Sequence, residues 1–169
     1  MSLKVYVARK SYGWLFLALI TLPLLLIGGF LVHLYLTTGH IFLFLSIFLS
    51  LGIALPFLII LISLPFMKYE LDDEKLVMKC GLLKYVVPLD SIKRITKRDL
   101  EISLWSSLRL PGLALFTVLY ADLGKVKMCA ASASKDIILI ETDRGLYGIT
   151  PANEDEFIAD FRSRTGGKW

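Results

Sequence analysis

The sequence predicts an α+β protein: an N-terminal transmembrane helical hairpin followed by a small antiparallel β-barrel or sandwich with one C-terminal helix. The charge pattern carries this prediction, because residues 11–67 contain no Asp, Glu, Lys or Arg. From residue 68 onward, short apolar runs alternate with charged turns. The predicted organisation is a cytoplasmic N-terminal segment at 1–13, the hairpin at 14–67 and a β-rich cytoplasmic domain at 68–169.

Composition supports a membrane segment. The chain has 169 residues, 56% of them hydrophobic, with a mean hydropathy of +0.66. A soluble domain is about 45–50% apolar. The net charge of +4 comes mainly from Lys4, Arg9 and Lys10, because the chain from residue 68 holds nearly equal numbers of acidic and basic residues. Nucleic-acid binding needs a basic surplus, so we expect no nucleic-acid partner.

Two apolar runs are long enough to cross a bilayer. Trp14–Leu36 and Ile41–Phe66 span roughly 34 and 39 Å as helices, and the hydrocarbon core is about 30 Å thick. Only a helix satisfies its own backbone hydrogen bonds in lipid. The uncharged turn Thr37–His40 then makes the two helices an antiparallel hairpin.

Flanking lysines and arginines predict the orientation. Lys4, Arg9 and Lys10 precede the hairpin and Lys68 follows it, whereas the turn has none. Positive flanks stay in the cytoplasm, so we expect a multi-pass protein of the cell membrane with both termini cytoplasmic.

The titratable side chains of the hairpin are His33 and His40. One interpretation is a redox or transport subunit in which they ligate haem or relay protons. The other is a pair of interfacial histidines that hydrogen-bond at headgroup level. We favour the second, and we expect no cofactor.

The chain after residue 67 predicts seven or eight short antiparallel strands and one helix. Hydrophobic residues alternate with a period of two in "KLVMKC" (Lys75–Cys80), and Gly124 and Thr142–Gly145 are hairpin turn signals. The pattern of "TPANEDEFIADFRSRTGG" is typical of an amphipathic helix. Its features are Pro151 in the first turn, Asn153 and Glu156 as a capping pair, Phe157 and Phe161 on one face, and a stop at Gly166-Gly167.

The two cysteines, Cys80 and Cys129, lie on predicted strands without a CxxC motif or a histidine cluster. We expect two small buried apolar side chains rather than a disulfide or a metal site. Signatures of hydrolases, zinc proteases and nucleotide-binding enzymes are absent, so we expect no enzymatic activity.

Several motifs in this order resemble the bacterial pleckstrin-homology (PH) domain proteins, which have two membrane helices before a small PH-like domain. The motifs are "YELDDEKLVMKCGLLKYVVPLDSIKRI", "RLPGL" at 109–113, Lys125-Val126 after "DLG", and "IILIETDRGLYGITPANEDEF". The resemblance covers most of residues 68–163 and implies a fold and a cellular location. It brings no catalytic residues, and the arginine-rich phosphoinositide signature of the eukaryotic domains is not visible.

Two stretches are candidate binding sites. The apolar loop 103–112 contains Leu104, Trp105, Leu108, Arg109 and Leu110. It either docks on a partner or the membrane interface, because Trp and Arg are favoured anchors, or folds back over the core.

The second stretch is the basic group Lys93, Arg94, Lys97 and Arg98. On a regular strand Lys93 and Lys97 face one side, and Arg94 and Arg98 the other. The group either contacts anionic lipid or forms a charged edge strand that discourages aggregation.

The resulting functional hypothesis is a membrane-anchored, non-enzymatic interaction module. It either binds a protein partner or serves as an accessory subunit of a membrane complex. Its expected partners are membrane lipids and another membrane protein or a second copy of the chain. The alternative is a module that binds anionic lipid headgroups at the cytoplasmic face.

Overall fold

A computed structural model describes residues 3–101, 109–110 and 112–166, with only the backbone described at 109–110. The chain divides into two compact units. One unit combines Met1–Gly13 with Pro65–Trp169, and the other is Trp14–Leu64.

The second unit is a pair of apolar helices. Helix α1 spans Gly13–Thr38, and helix α2 spans Ile41–Ser63 with a 3-10 turn at Leu64–Phe66. Both are long and apolar enough to cross a membrane by length and composition. The prediction of two apolar helices joined by a short turn is therefore confirmed.

The two helices pack side by side in opposite directions. The Ser50 hydroxyl donates to the Leu24 carbonyl at 2.8 Å, and the rings of Tyr35 and Phe44 lie 6.4 Å apart. A Cβ at Gly28 would lie 2.7 Å from a methyl carbon of Leu51. A side chain at position 28 would therefore displace the end of the Leu51 side chain on the facing helix.

The first unit begins with a four-stranded antiparallel sheet, called sheet 1, in the order β1-β2-β3-β4. Its strands are β1 (Lys4–Val7), β2 (Lys68–Leu71), β3 (Lys75–Cys80) and β4 (Leu83–Pro88). The sequence did not predict β1, because residues 1–13 were interpreted as a flank of the hairpin. In the structure Lys4 lies opposite Leu71 and Val7 opposite Lys68.

The rest of the N-terminal segment also lies along the domain. The Arg9 amide donates to the Thr150 carbonyl at 2.8 Å, and the Ser11 hydroxyl donates to the Gly112 carbonyl. Gly112 has a φ of 76°, and a Cβ there would lie 2.5 Å from the Ser11 Oγ. Glycine is therefore required at this contact on both conformational and steric grounds.

Sheet 2 has six strands in the order β5-β9-β10-β8-β7-β6. They are β5 (Ile92–Arg98), β6 (Arg109–Leu110), β7 (Leu113–Tyr120), β8 (Gly124–Ala130), β9 (Ile137–Thr142) and β10 (Gly145–Ile149). Neighbours are antiparallel except β8 and β10, which are parallel. The sheets form a sandwich rather than a closed barrel, so the predicted α+β sandwich is confirmed. The prediction of antiparallel strands throughout is wrong for this one pair.

Helix α3 spans Glu154–Thr165 and closes the domain as predicted. Phe157 and Phe161 are fully buried, and Gly166 ends the helix in the left-handed conformation. Pro151 precedes the helix and bridges to Ala8 instead of occupying the first turn. The Asn153 side chain makes no cap hydrogen bond to the backbone but donates to the Glu156 carboxylate at 3.2 Å.

The prediction for the cysteines is wrong. Cys80 at the end of β3 and Cys129 on β8 form a disulfide, with Cα atoms 5.7 Å apart. The two residues are 49 positions apart in sequence, so only the packing of sheet 1 on sheet 2 brings them together. Both are buried, as predicted.

A buried hydrogen-bond network lies beside the disulfide. The Tyr69 hydroxyl donates to the Cys129 carbonyl at 2.6 Å and accepts from the Thr150 amide at 3.3 Å. The Thr150 hydroxyl in turn accepts from the Ala131 amide at 2.7 Å. Burial raises the pKa of Tyr69 to about 12. This network and the disulfide connect the two sheets through their interior.

Candidate interaction surfaces

The predicted partner-binding loop falls mostly outside the described residues. Leu104, Trp105 and Leu108 lie outside them. For Arg109 and Leu110 the backbone alone is described, in β6, where they lie opposite Ala114 and Leu113. The role of this loop in partner binding stays a prediction.

The predicted basic group lies on β5, which is an edge of sheet 2. A bulge between Ile92 and Arg94 shifts the register, and Ile92 and Ile95 are both buried although they are three positions apart. The simple alternation that placed Lys93 and Lys97 on one face is therefore interrupted. A bulge adds one residue to the strand and breaks the period of two.

Acidic residues neutralise most of this basic group. Lys93 pairs with Asp143 at 2.8 Å, and the hydrogen bond that Lys93 donates to the Asp143 carboxylate raises the pKa of Lys93. Lys97 pairs with Glu154 at 2.6 Å. These partners come from β9–β10 and α3, far along the chain.

The last two members differ from each other. Arg98 contacts Asp122 through an ion pair, whereas Arg94 is exposed and lies opposite Glu141 on β9. Because carboxylates accompany the cations, β5 carries little positive surplus with which to attract anionic lipid. The structure brings the four residues onto one strand but does not make them an isolated basic surface.

Strand β1 is a different kind of edge. Val5 and Val7 are 51% and 61% exposed, and Leu3 just before the strand is also exposed. Natural edge strands usually avoid exposed apolar side chains, because an open backbone edge with such residues pairs with other strands. The apolar edge of β1 is therefore a candidate interaction surface.

The inward side of β1 is fixed against α3. The Tyr6 hydroxyl donates to the Asp160 carboxylate, and Lys4 pairs with the same carboxylate at 2.5 Å. The hydrogen bonds from Lys4 and Tyr6 lower the pKa of Asp160, and burial together with Asp160 raises the pKa of Tyr6. The ring of Tyr6 also meets that of Phe157 edge to face, at 5.2 Å. These contacts hold β1 in one register on the domain.

A groove of about 540 Å³ runs between β1 and the start of α3. Its walls are residues 3–7 on one side and Ala152, Asn153 and Glu156 on the other. The Ala152 amide donates to the Val7 carbonyl at 2.9 Å, which closes one end of the edge. The groove runs alongside residues 3–7, next to the exposed side chains of Leu3, Val5 and Val7.

The sequence contained a signal for this surface. Leu3, Val5 and Val7 alternate with Lys4 and Tyr6, which is the period of a strand with one apolar face. The segment is short and lies more than 60 residues from its partner strand, so the alternation alone does not predict a strand there.

The described residues contain no group of three or more His, Cys, Asp or Glu side chains that could hold a metal ion. His33 and His40 are exposed on the helical unit, whereas a haem ligand sits in a buried pocket. The interpretation of His33 and His40 as interfacial histidines stays a prediction.

Comparison with known proteins assigns the domain. No curated protein and no solved structure matches the chain. A family model described as "Bacterial PH domain" matches residues 67–165. That range contains β2–β10 and α3, and it leaves out β1 and the two apolar helices. Because the match covers more than half of the chain, the protein belongs to the bacterial PH domain family.

Proposed function

We propose that the protein is a non-enzymatic interaction module, anchored in the cell membrane by α1 and α2. Its PH-like domain binds a protein partner, so that the chain serves as an accessory subunit of a membrane complex. The observation that carries this proposal is the apolar edge of β1 beside an open groove. A partner that adds a strand to β1 would gain backbone hydrogen bonds and would cover Val5 and Val7.

The pairing of β1 with β2 supports a double crossing. Val7 lies opposite Lys68, and these residues flank the two apolar helices in sequence. If both helices cross the membrane, the segments before α1 and after α2 must lie on the same side. The lysines of these segments favour the cytoplasmic side.

The disulfide bears on this orientation, because disulfides are rare in reducing compartments. Cys80 and Cys129 are buried, so soluble reductants reach the bond only when the domain opens. We therefore propose that burial preserves the bond in a cytoplasmic domain. Thiol trapping in intact membranes tests this point, since an oxidised pair supports it and two free thiols contradict it.

Co-purification from native membranes in mild detergent tests the proposed function. We expect a stoichiometric partner with the wild-type chain and its loss with Val5→Lys, because a charged residue on an edge strand opposes strand addition. Val86→Lys is the matched control. Val86 is a half-exposed valine on β4, the opposite edge of sheet 1, in the same cross-strand row as Val5.

Two results would contradict the proposal. A wild-type chain that purifies as a clean monomer would show that no stable partner exists. A partner retained equally by Val5→Lys and Val86→Lys would show that β1 does not hold it.

The alternative function, binding of anionic lipid headgroups, loses support at β5, where ion pairs neutralise the predicted basic group. A different set of lysines on sheet 1 favours lipid contact.

A further inference from the structure

Sheet 1 is electrically polarised along its strands. Three lysines form one cross-strand row, because Lys68 lies opposite Lys79 and Lys79 lies opposite Lys84. Directly opposed residues share a face of the sheet, and adjacent strands are about 4.8 Å apart, so the row is about 10 Å wide. The opposite end of the sheet carries the acidic turn Asp72–Glu74 and Asp90.

Ion pairing leaves a positive surplus in this row. Glu70 pairs with Lys68 at 3.2 Å and with Lys79 at 2.6 Å, and the hydrogen bond from Lys79 lowers the pKa of Glu70. Lys84 is exposed and has no ion-pair partner among residues 3–101, 109–110 and 112–166. The row therefore has three lysines, of which two pair with the Glu70 carboxylate.

The β3–β4 hairpin extends beyond the lysine row. Gly81 and Leu82 form its turn, Gly81 has a φ of 65°, and Leu82 is 82% exposed. An apolar side chain at a hairpin tip beside a basic row matches the chemistry of a bilayer interface, where anionic headgroups overlie hydrocarbon.

The chain enters sheet 1 from the second apolar run at the end of the sheet that carries the lysine row. Lys68 follows Phe66, the last residue of that run, by two positions, which is at most about 7 Å of chain. Strand β2 leads away from that point, β3 returns to it, and the Leu82 turn therefore lies at the same end as Lys68.

We propose that Leu82 and the lysine row Lys68, Lys79 and Lys84 form a membrane-contact surface that docks on anionic lipid headgroups. This inference rests on the proposed membrane insertion of α1 and α2. Leu82 enters the interface while the lysines approach the headgroup charges. Each lysine shifts the equilibrium between docked and undocked domain by about fivefold, and salt weakens the effect by screening.

Depth-dependent fluorescence quenching tests the surface in the full chain, reconstituted in nanodiscs. An environment-sensitive fluorescent amino acid replaces Leu82 in one sample and Asp73, at the acidic end of sheet 1, in a second. A third sample carries it at Leu45 of α2, which reports insertion independently. Nitroxide-bearing lipid quenches from the bilayer, and acrylamide quenches from water.

In nanodiscs with anionic lipid we expect lipid quenching at Leu82 and Leu45, and acrylamide quenching at Asp73. The signal at Leu82 should weaken with zwitterionic lipid, with high salt and with Lys84→Gln. Lys75→Gln is the matched control, because Lys75 is an exposed lysine at the acidic end of β3, and it should leave the signal unchanged.

Four results would overturn the inference, and they are distinguishable. If acrylamide quenches the probe at Leu82 as strongly as the probe at Asp73, the Leu82 surface does not dock on the membrane. That result does not bear on the insertion of α1 and α2. If lipid quenching at Leu82 is equal in anionic and zwitterionic nanodiscs, the lysine row does not attract the domain to anionic headgroups. Protection of Leu82 from both quenchers assigns the surface to a protein. Acrylamide quenching at Leu45 removes the proposed insertion and the inference with it.

Discussion

Phenylalanines in the two units of the protein occupy opposite surroundings. Phe48 in α2 is 70% exposed, whereas Phe157 in α3 is fully buried between the strands and the rest of its helix. The apolar helices leave large side chains exposed along their length, whereas the domain buries most of its large apolar side chains. The difference shows that the domain carries its own core, whereas α1 and α2 leave an apolar surface that a bilayer would cover if they span one.

Removing one phenylalanine from each unit sharpens this comparison most strongly. Phe157→Ala should lower the free energy of unfolding of the domain by about 4 kcal/mol, because it leaves a cavity in the core. Phe48→Ala should change it by less than about 0.5 kcal/mol. Denaturant titration in detergent, followed by hydrogen exchange of the β9 amides, measures both. Equal losses of unfolding free energy in Phe157→Ala and Phe48→Ala would contradict the difference between the two units.

The disulfide gives the next largest expected effect. Replacing Cys80 and Cys129 by serine should destabilise the domain by about 3 kcal/mol, because the bond closes a long loop of the unfolded chain. The helicity of α1 and α2 should not change, since the bond lies wholly in the other unit. Circular dichroism and the unfolding midpoint, with and without reductant, test this. If reductant still lowers the unfolding midpoint of the serine variant, the Cys80–Cys129 disulfide is not the cause of the reductant effect.

Tyr69 provides a smaller effect with a predictable pH dependence. Tyr69→Phe should cost about 2 kcal/mol, because the Cys129 carbonyl and the Thr150 amide lose their partner in the interior. The folded pKa of about 12 exceeds the unfolded value of about 10. The stabilisation from neutral Tyr69 is therefore complete below pH 10 and is lost as the pH rises towards 12.

Unfolding of the wild-type and Tyr69→Phe chains between pH 9 and 12 measures this contribution. The stability difference between them should shrink across that window. Tyr35→Phe, in the apolar helices, is the matched control and should leave the domain's pH profile unchanged. A constant difference between wild type and Tyr69→Phe across the window would contradict the assignment.

The smallest expected effect concerns the attachment of β1. Asp160→Asn should cost about 1 kcal/mol, because Lys4 and Tyr6 lose a charged acceptor. The pKa of Asp160 is lowered in the folded protein, so its stabilisation is present above pH 4 and is lost as the pH falls below that value. Hydrogen exchange of residues 4–7 should accelerate in the variant. Unchanged exchange at β1 would show that the carboxylate does not hold the strand.

Local sequence patterns predicted the elements that local physics determines. The uncharged stretch 11–67 indicated two helices, and the spacing of Phe157 and Phe161 with Gly166 indicated α3. These features depend on neighbours within a few residues, so the sequence displays them directly. The resemblance in residues 68–163 added the family and the sandwich.

Features that depend on distant pairing were not predictable in the same way. β1 pairs with a strand more than 60 residues away, and Cys80 meets Cys129 across two sheets. The ion pairs that neutralise Lys93 and Lys97 come from β9–β10 and α3. Each such contact exists only once the sandwich has formed, which is why the basic group looked free in the sequence.

The central claim is that the segments before α1 and after α2 lie on the same side of the membrane. Three reporters measure, in intact cells, the side of the membrane on which each position lies. One is fused before Met1, one is inserted between Gly39 and His40, and one is fused after Trp169. The pairing of β1 with β2 predicts that the two terminal reporters lie in one compartment and the middle reporter in the other, and the flanking lysines predict that the shared compartment is the cytoplasm. Terminal reporters on opposite sides of the membrane, or all three on one side, would contradict it.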